Sequence, residues 1–326
     1  MAKISTTAEI NSVRVKEQAT APSTPASGYG SIYCKSDGLY FIGDDGTEIG
    51  PLGAAGSSGV VDIGIVDGRL TLESGVPVST TDQTAKATLY FTPYKGNRIA
   101  LYDGSSEWNI RTFSELSLDI SGYTTGKNYD IWCYDNSGTA TLDSTIWTDD
   151  TTRATALTTQ DGVLVKTGAT THRYLGTIRM SAAGECEDSV TKRFVWNLYN
   201  KEQRGMYKGE FVTHTYGTST WRAWNNDTTF RLGFVVGLPQ YVEASVYGEM
   251  FSATAGQSVS IGIGLDVTNT SNYPGVTNFG TVRMGYGGIA RALRMAEGYH
   301  FLQATEHSSA ANGDFRGVRI GSTVLG

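Results

Sequence analysis

Residues 258–267 read Ser258-Val259-Ser260-Ile261-Gly262-Ile263-Gly264-Leu265-Asp266-Val267. Five apolar side chains alternate without a break with Ser, Gly and Asp. A period of two belongs to a β-strand that buries one face, whereas a helix would scatter these residues around its surface. The opposite face carries Gly262 and Gly264. Glycine weakens a strand interior, so this face is either open to solvent or a place where another backbone approaches closely, as at a subunit interface.

The rest of the chain extends the same pattern. Its 326 residues predict two or three domains. Only 18% are charged, below the globular norm of about 25%. There are 40 glycines, 41 threonines and 18 tyrosines, against 7 prolines. β-Branched and aromatic residues suit a pleated surface, and glycine supplies tight turns, so an all-β chain is expected. Disorder, collagen and helical bundles do not fit this composition. The net charge of −6 lacks the basic footprint of a nucleic-acid binder. Apolar runs are too short to span a bilayer, and the polar start from Met1 to Ile10 lacks a secretory core. A soluble product of a cytoplasm is expected. Cys34, Cys133 and Cys186 are far apart, which predicts buried thiols rather than a disulfide or metal site.

Turn signals set the layout. Residues 1–21 read as a short strand or extended arm, followed by a Pro/Ser loop over 21–28. Ile32–Cys34 and Leu39–Ile42 flank Ser36-Asp37-Gly38, a hairpin signal, and Gly43-Asp44-Asp45-Gly46 leads into a third strand. Three strands in so few residues make no core of their own, so the unit should pack against copies of itself or a partner. Domain limits are predicted at 1–50, at 51–59 for a Gly-rich linker, at 60–205 and at 206–326. The two large regions are expected to be β-sandwich or jelly-roll domains. Further hairpins are predicted around Lys95-Gly96-Asn97, around Asp135 to Gly138 and around a loop containing Gly168. Asp149 to Thr159 offers cap residues followed by Ala154, Ala156 and Leu157, and predicts one short helix. Ser189 to Asn200 fits either period, and the surrounding β content favours strand.

A catalytic set is not visible. His172, His214, His300 and His307 lack a nucleophile context, and no metal-ligand spacing accompanies them. Asp44-Asp45 and Asp149-Asp150 are placed as turn and cap residues rather than as an acid–base pair. Gly285, Gly287 and Gly288 lack the G-K-[ST] of a phosphate loop. No enzyme, cofactor or metal is therefore expected. Tyr216, Trp221 and Trp224 lie in a polar stretch and are candidates for stacking on a glycan, with core or interface packing as the alternative.

The segment APSTPASGYGSIYCKSDGLYFIGDDGTEIG (21–50) resembles a module of tailed-bacteriophage structural proteins. The likeness runs through Pro25-Ala26-Ser27-Gly28, Ile32-Tyr33, Lys35-Ser36-Asp37-Gly38 and Leu39-Tyr40-Phe41. Residues 92–104, 160–179 and 187–200 are similar to segments of phage virion or fibre components. The resemblance covers about 20–200, and the remainder more loosely. It implies a homotrimeric head-fibre, capsid-decoration or tail-fibre-like protein, located in the virion and without enzymatic activity. Residues 1–21 would dock on capsid, collar or tail proteins, and a host surface glycan is an alternative partner. Ile32, Tyr33, Leu39, Phe41, Gly262 and Gly264 are the candidate subunit contacts. The chain lacks a coiled-coil or triple-helical shaft and a pectate-lyase-like repeat, which favours a short spike or decorating fibre over a depolymerising tailspike.

Overall fold

A computed structural model describes residues 15–52, 62–252, 254, 256–279, 287–309 and 312–326. The chain forms two compact units, 1–61 and 62–326. Both are built of strands, and the one helical turn among the described residues is the 3-10 turn Trp224–Asn226.

The first unit contains one antiparallel sheet in the order Ser31–Lys35, Gly38–Ile42, Glu48–Leu52. Gly38 sits at φ +150°, and a Cβ there would lie 2.6 Å from the Cβ of Pro51, so the tight turn needs glycine. Alternation sends Tyr33, Tyr40 and Ile42 to one face, where they form a buried cluster with the two tyrosine rings 5.6 Å apart. The predicted linker begins later than expected: Pro51 and Leu52 belong to the third strand, and 53–59 lie outside the described residues. Of the predicted arm, residues 1–14 also lie outside them. Its end is tied down, because Gln18 N–H donates to the Cys34 carbonyl at 2.7 Å.

The second unit is a set of stacked sheets. Gly68–Thr71, Thr88–Pro93 and Leu116–Asp119 make a three-stranded sheet, and Arg98–Tyr102 pairs with Trp108–Thr112. A long sheet starts with Thr139–Ile146, Asn128–Asn136 and Ala169–Ala182. It continues through Glu185–Asp188, Lys192–Arg193, Arg231–Val236, Gly298–Ser308, Ser258–Leu265 and Tyr273–Phe279. A five-stranded sheet places Gly313–Leu325 between Gln203–Glu210 and Gln240–Ser252, with Gly287–Met295 outside the latter and His214–Tyr216 on the end of Gly313–Leu325.

Two main cores follow the sequence. One runs from Val66 to Val195, the other from Met206 to Val324. The long sheet crosses between them by the parallel pairing of Lys192–Arg193 with Arg231–Val236. In the second core, Val242, Val246 and Ile320 of the five-stranded sheet pack with Phe234, Ile261 and Leu302 of the long sheet, which makes a β-sandwich. Each such side chain, fully buried, stabilises the fold by about 1.5–3 kcal/mol.

Three expectations change. The strands around Lys95-Gly96-Asn97 form, but they do not pair. Asp67 lies between them: its carbonyl accepts Tyr94 N–H and Lys95 N–H, its N–H donates to the Arg98 carbonyl, and its carboxylate binds Arg98 Nε at 3.0 Å. The stretch 149–159 is not a helix. The Asp149 carboxylate accepts the N–H groups of Thr151 and Thr152 in a tight turn, Trp147 bridges to Arg153, and Leu157–Gln160 is a strand. Gly262 and Gly264 do lie under a close backbone, but it is the chain's own. A Cβ on Gly264 would meet the Val267 carbonyl oxygen at 2.4 Å, and one on Gly262 would meet Ser271 Oγ at 2.1 Å. The loop after this strand folds over the glycine face, so the chain's own backbone accounts for the two glycines.

Candidate functional site

The exposed face of the first unit is apolar. Register places Ile32, Phe41 and Ile49 side by side, with Leu39 in the next row. Ile32 is 61% exposed and Ile49 54%, while Leu39 is exposed and Phe41 half-buried. The Phe41 ring lies across Gly30, where a Cβ would come within 2.2 Å of it, and Tyr29 stands exposed beside it. Of the four candidate contacts here, Tyr33 is corrected: the pleat turns it to the opposite, buried face. There its hydroxyl donates to Glu48, which also binds Lys35 Nζ at 2.6 Å. These bonds hold the Glu48 carboxyl below its ordinary value, Lys35 first and then Tyr33.

The candidate glycan aromatics do not form a platform. Trp224 is wholly buried in the second core, its indole N–H donating to Glu210 at 2.7 Å and its ring edge-on to Phe315. It cannot reach a ligand, and this corrects the expectation for it. Tyr216 is half-buried, its hydroxyl is bonded to Thr220, and the Arg222 guanidinium covers its ring at 3.9 Å. Trp221 is half-buried, with the His307 ring 5.2 Å away.

Below them lies a buried charge cluster that sequence reasoning missed. Glu306, fully buried, accepts from Arg222 Nε at 2.7 Å and pairs with His214 Nε2. His214 stacks on Phe315, and its Nδ1 has no hydrogen-bond partner among the described residues. A second hub is Arg153, which binds Asp130 at 2.8 Å and also Glu297, Tyr174 and the Gly237 carbonyl. These partners are far apart in sequence, and only the folded sheets bring them together.

Of the other residues named from the sequence, His300 binds Asp266 at 2.8 Å and His172 stacks on Tyr134. Cys133 and Cys186 are buried, and burial pushes both thiols up, Cys133 to about 12. Cys34 is only half-buried, contrary to expectation. Asp44 and Asp45 do serve a turn: Asp44 accepts Gly28 N–H, and Asp45 accepts Thr47 N–H. Gly287 and Gly288 open a strand, and Gly285 lies outside the described residues. No helix among the described residues is long and apolar enough to cross a membrane.

No family model matches this chain, and no curated protein matches it. Among solved structures, it is similar to dimeric latent PorU from Porphyromonas gingivalis, at 8% identity and a TM-score of 0.24, over 63% of this chain and 20% of that one. It is similar to a structure of infectious bursal disease virus, Gx strain, at 11% identity and a TM-score of 0.26, over 77% of this chain and 73% of that one. A VP2 subviral particle of infectious bursal disease virus gives 8% identity and a TM-score of 0.24, over 76% and 66%. The chain thus spans a fifth of the length of PorU. Scores of this size are reached without a shared fold, and neither a function nor a partner follows from them.

Proposed function

We propose that the protein is a non-catalytic structural component of a tailed-phage virion, a homotrimeric fibre or decoration protein. It docks on the particle through residues 1–21 and projects its β domains outward. The observation that carries this reading is the first unit. The motif that resembles phage structural modules folds into a sheet whose own core is three side chains, Tyr33, Tyr40 and Ile42. The opposite face leaves Ile32, Leu39 and Ile49 exposed. A sheet this small is marginal alone, and covering that face with a partner removes the cost of its exposure. The absence of catalysis in this reading rests on the histidines. Among the described residues, no Ser or Cys side chain is hydrogen-bonded to His172, His214 or His300.

The test uses particles assembled with the full chain or with residues 22–326, probed by immunogold labelling. The full chain should label particles, and the truncated chain should remain a soluble trimer that does not. Truncated protein found on particles would overturn docking by 1–21.

A further inference from the structure

The five-stranded sheet has an inner face packed into the second core, and its outer face is uncovered by the described residues of 62–326. Four of the ten large apolar side chains that residues 62–326 expose, among those described, belong to this sheet, Tyr207, Tyr241, Tyr247 and Leu325, and two more, Phe211 and Val212, adjoin it. Phe211 and Val212 directly follow its edge strand. Surface apolar groups are normally scattered singly, so this concentration marks an interaction surface.

Its relief is specific. Register aligns Tyr207, Gly321, Ser245 and Ala290 in one row, and Gly205, Thr323, Glu243 and Ala292 in the next. The small residues of these rows, Gly205, Gly321, Thr323, Ser245, Ala290 and Ala292, floor an open trough of about 710 Å³. Tyr247 and Arg319, paired across the strands, rise on one side, and Tyr241, 68% exposed, rises on the other. Ridge and trough therefore lie next to each other on one surface.

We infer that this face is the contact surface for a second copy of the same chain, the aromatic ridge of one copy entering the trough of the next. The inference rests on the homotrimer reading and specifies where that trimer is held. Three observations favour this occupant. First, the outer face carries Glu243, Glu249 and Asp314 against Arg294, Arg316 and Arg319. With Arg291 also at the trough the face carries both signs in near balance, so it does not strongly repel its own copy and offers little steering to nucleic acid or an anionic surface. Second, Tyr, Phe and Arg are the residues enriched where proteins meet, and Leu325 and Val212 contribute nothing to recognising sugar hydroxyls. Third, four strands of nine residues cover roughly 550 Å² in projection before the ridges are counted. That approaches the ~800 Å² per partner of a standard interface. Head-to-tail packing of adjacent ridge and trough closes into a ring when the rotation fits.

The full chain, wild type and as Tyr241→Glu/Tyr247→Glu, is compared by sedimentation equilibrium, with circular dichroism to check folding. Tyr241→Ser/Tyr247→Ser supplies a milder pair should the charged pair unfold. Ser245→Arg, which fills the trough, is a third variant. Wild type should be trimeric at about 10 µM. Each folded variant should dissociate, its dissociation constant raised about 100-fold. Folded variants that keep the wild-type mass overturn this face while leaving the trimer reading intact. A wild type that is monomeric at about 100 µM overturns both, and in that event protection of Tyr241 by an added oligosaccharide would assign the face to glycan instead.

Discussion

Replacing Arg153 by Met should destabilise the second unit strongly. Arg153 is the partner of Asp130, and the two side chains are 6% and 2% exposed. Methionine fills most of the volume but leaves a buried carboxylate without its cation. Breaking a buried pair in this way costs about 3–5 kcal/mol. For a unit of this size, each kcal/mol moves the melting temperature by roughly 2–4 °C, so the variant should melt about 10 °C lower at pH 7. Burial already raises the Asp130 carboxyl above its ordinary value, with Arg153 and Thr177 pulling it down. Loss of Arg153 raises it further. A carboxyl raised in the folded state binds its proton more tightly there than in the unfolded chain. Its neutral form therefore favours folding below the unfolded value near 3.8, and that advantage is lost as pH rises through the folded value. The penalty of Arg153→Met should accordingly shrink from pH 7 to pH 4. The double variant Arg153→Met/Asp130→Leu, which removes both charges, should recover most of the lost stability. Calorimetry at the two pH values decides. An Arg153→Met protein melting within about 1 °C of wild type at pH 7, or a double variant no better than the single, would refute the reasoning.

Other outcomes follow from separate sites. Gly264→Val should destabilise the protein by several kcal/mol, on the order of 3 or more, because its side chain would collide with the Val267 and Thr270 carbonyl oxygens; urea unfolding measures it. Trp224→Ala should cost about 3–5 kcal/mol in the same assay, whereas Trp221→Ala should stay within about 1 kcal/mol, since only Trp224 is wholly buried. A thiol reagent at pH 8 should label Cys34 in native protein well before Cys133 and Cys186, whose thiols are buried and raised; equal rates would contradict their placement.

How far the sequence foretells this structure depends on how local the cause is. The alternation of 258–267 needs only neighbours, and the strand forms, ending at Leu265 rather than Val267 because Asp266 turns the chain with φ +57°. The Asp135 to Gly138 hairpin is equally local: Ser137 and Gly138 take φ of +52° and +95°, which the Ser-Gly pair permits. Lys95-Gly96-Asn97 carries a similar signal and fails, because Asp67, distant in sequence, bonds into the gap. Asp149 shows why a cap residue is ambiguous, since the same carboxylate that starts a helix can close a turn on Thr151 and Thr152. The glycine pair at 262 and 264 announced a close backbone but could not say whose. In the first unit the hairpin was legible, yet grouping Tyr33 with Ile32 ignored the pleat that separates them. The Glu306 and Arg153 clusters left no trace in spacing, because each draws on strands tens of residues apart or more.

The position of Gly313–Leu325 bears on how this chain is made. That strand lies in the middle of its sheet, between Gln203–Glu210 and Gln240–Ser252. During synthesis, both flanking strands leave the ribosome with an unfilled slot between them, and Met206, Val242 and Val246 wait for Phe315, Val318 and Ile320. The second half thus cannot close progressively behind the ribosome. It stays open, with bare strand edges, until more than sixty further residues have been added after Gln240–Ser252. Chaperone dependence and concentration-dependent aggregation during expression are the consequences to look for, and they should be worst for any version that stops short of residue 313.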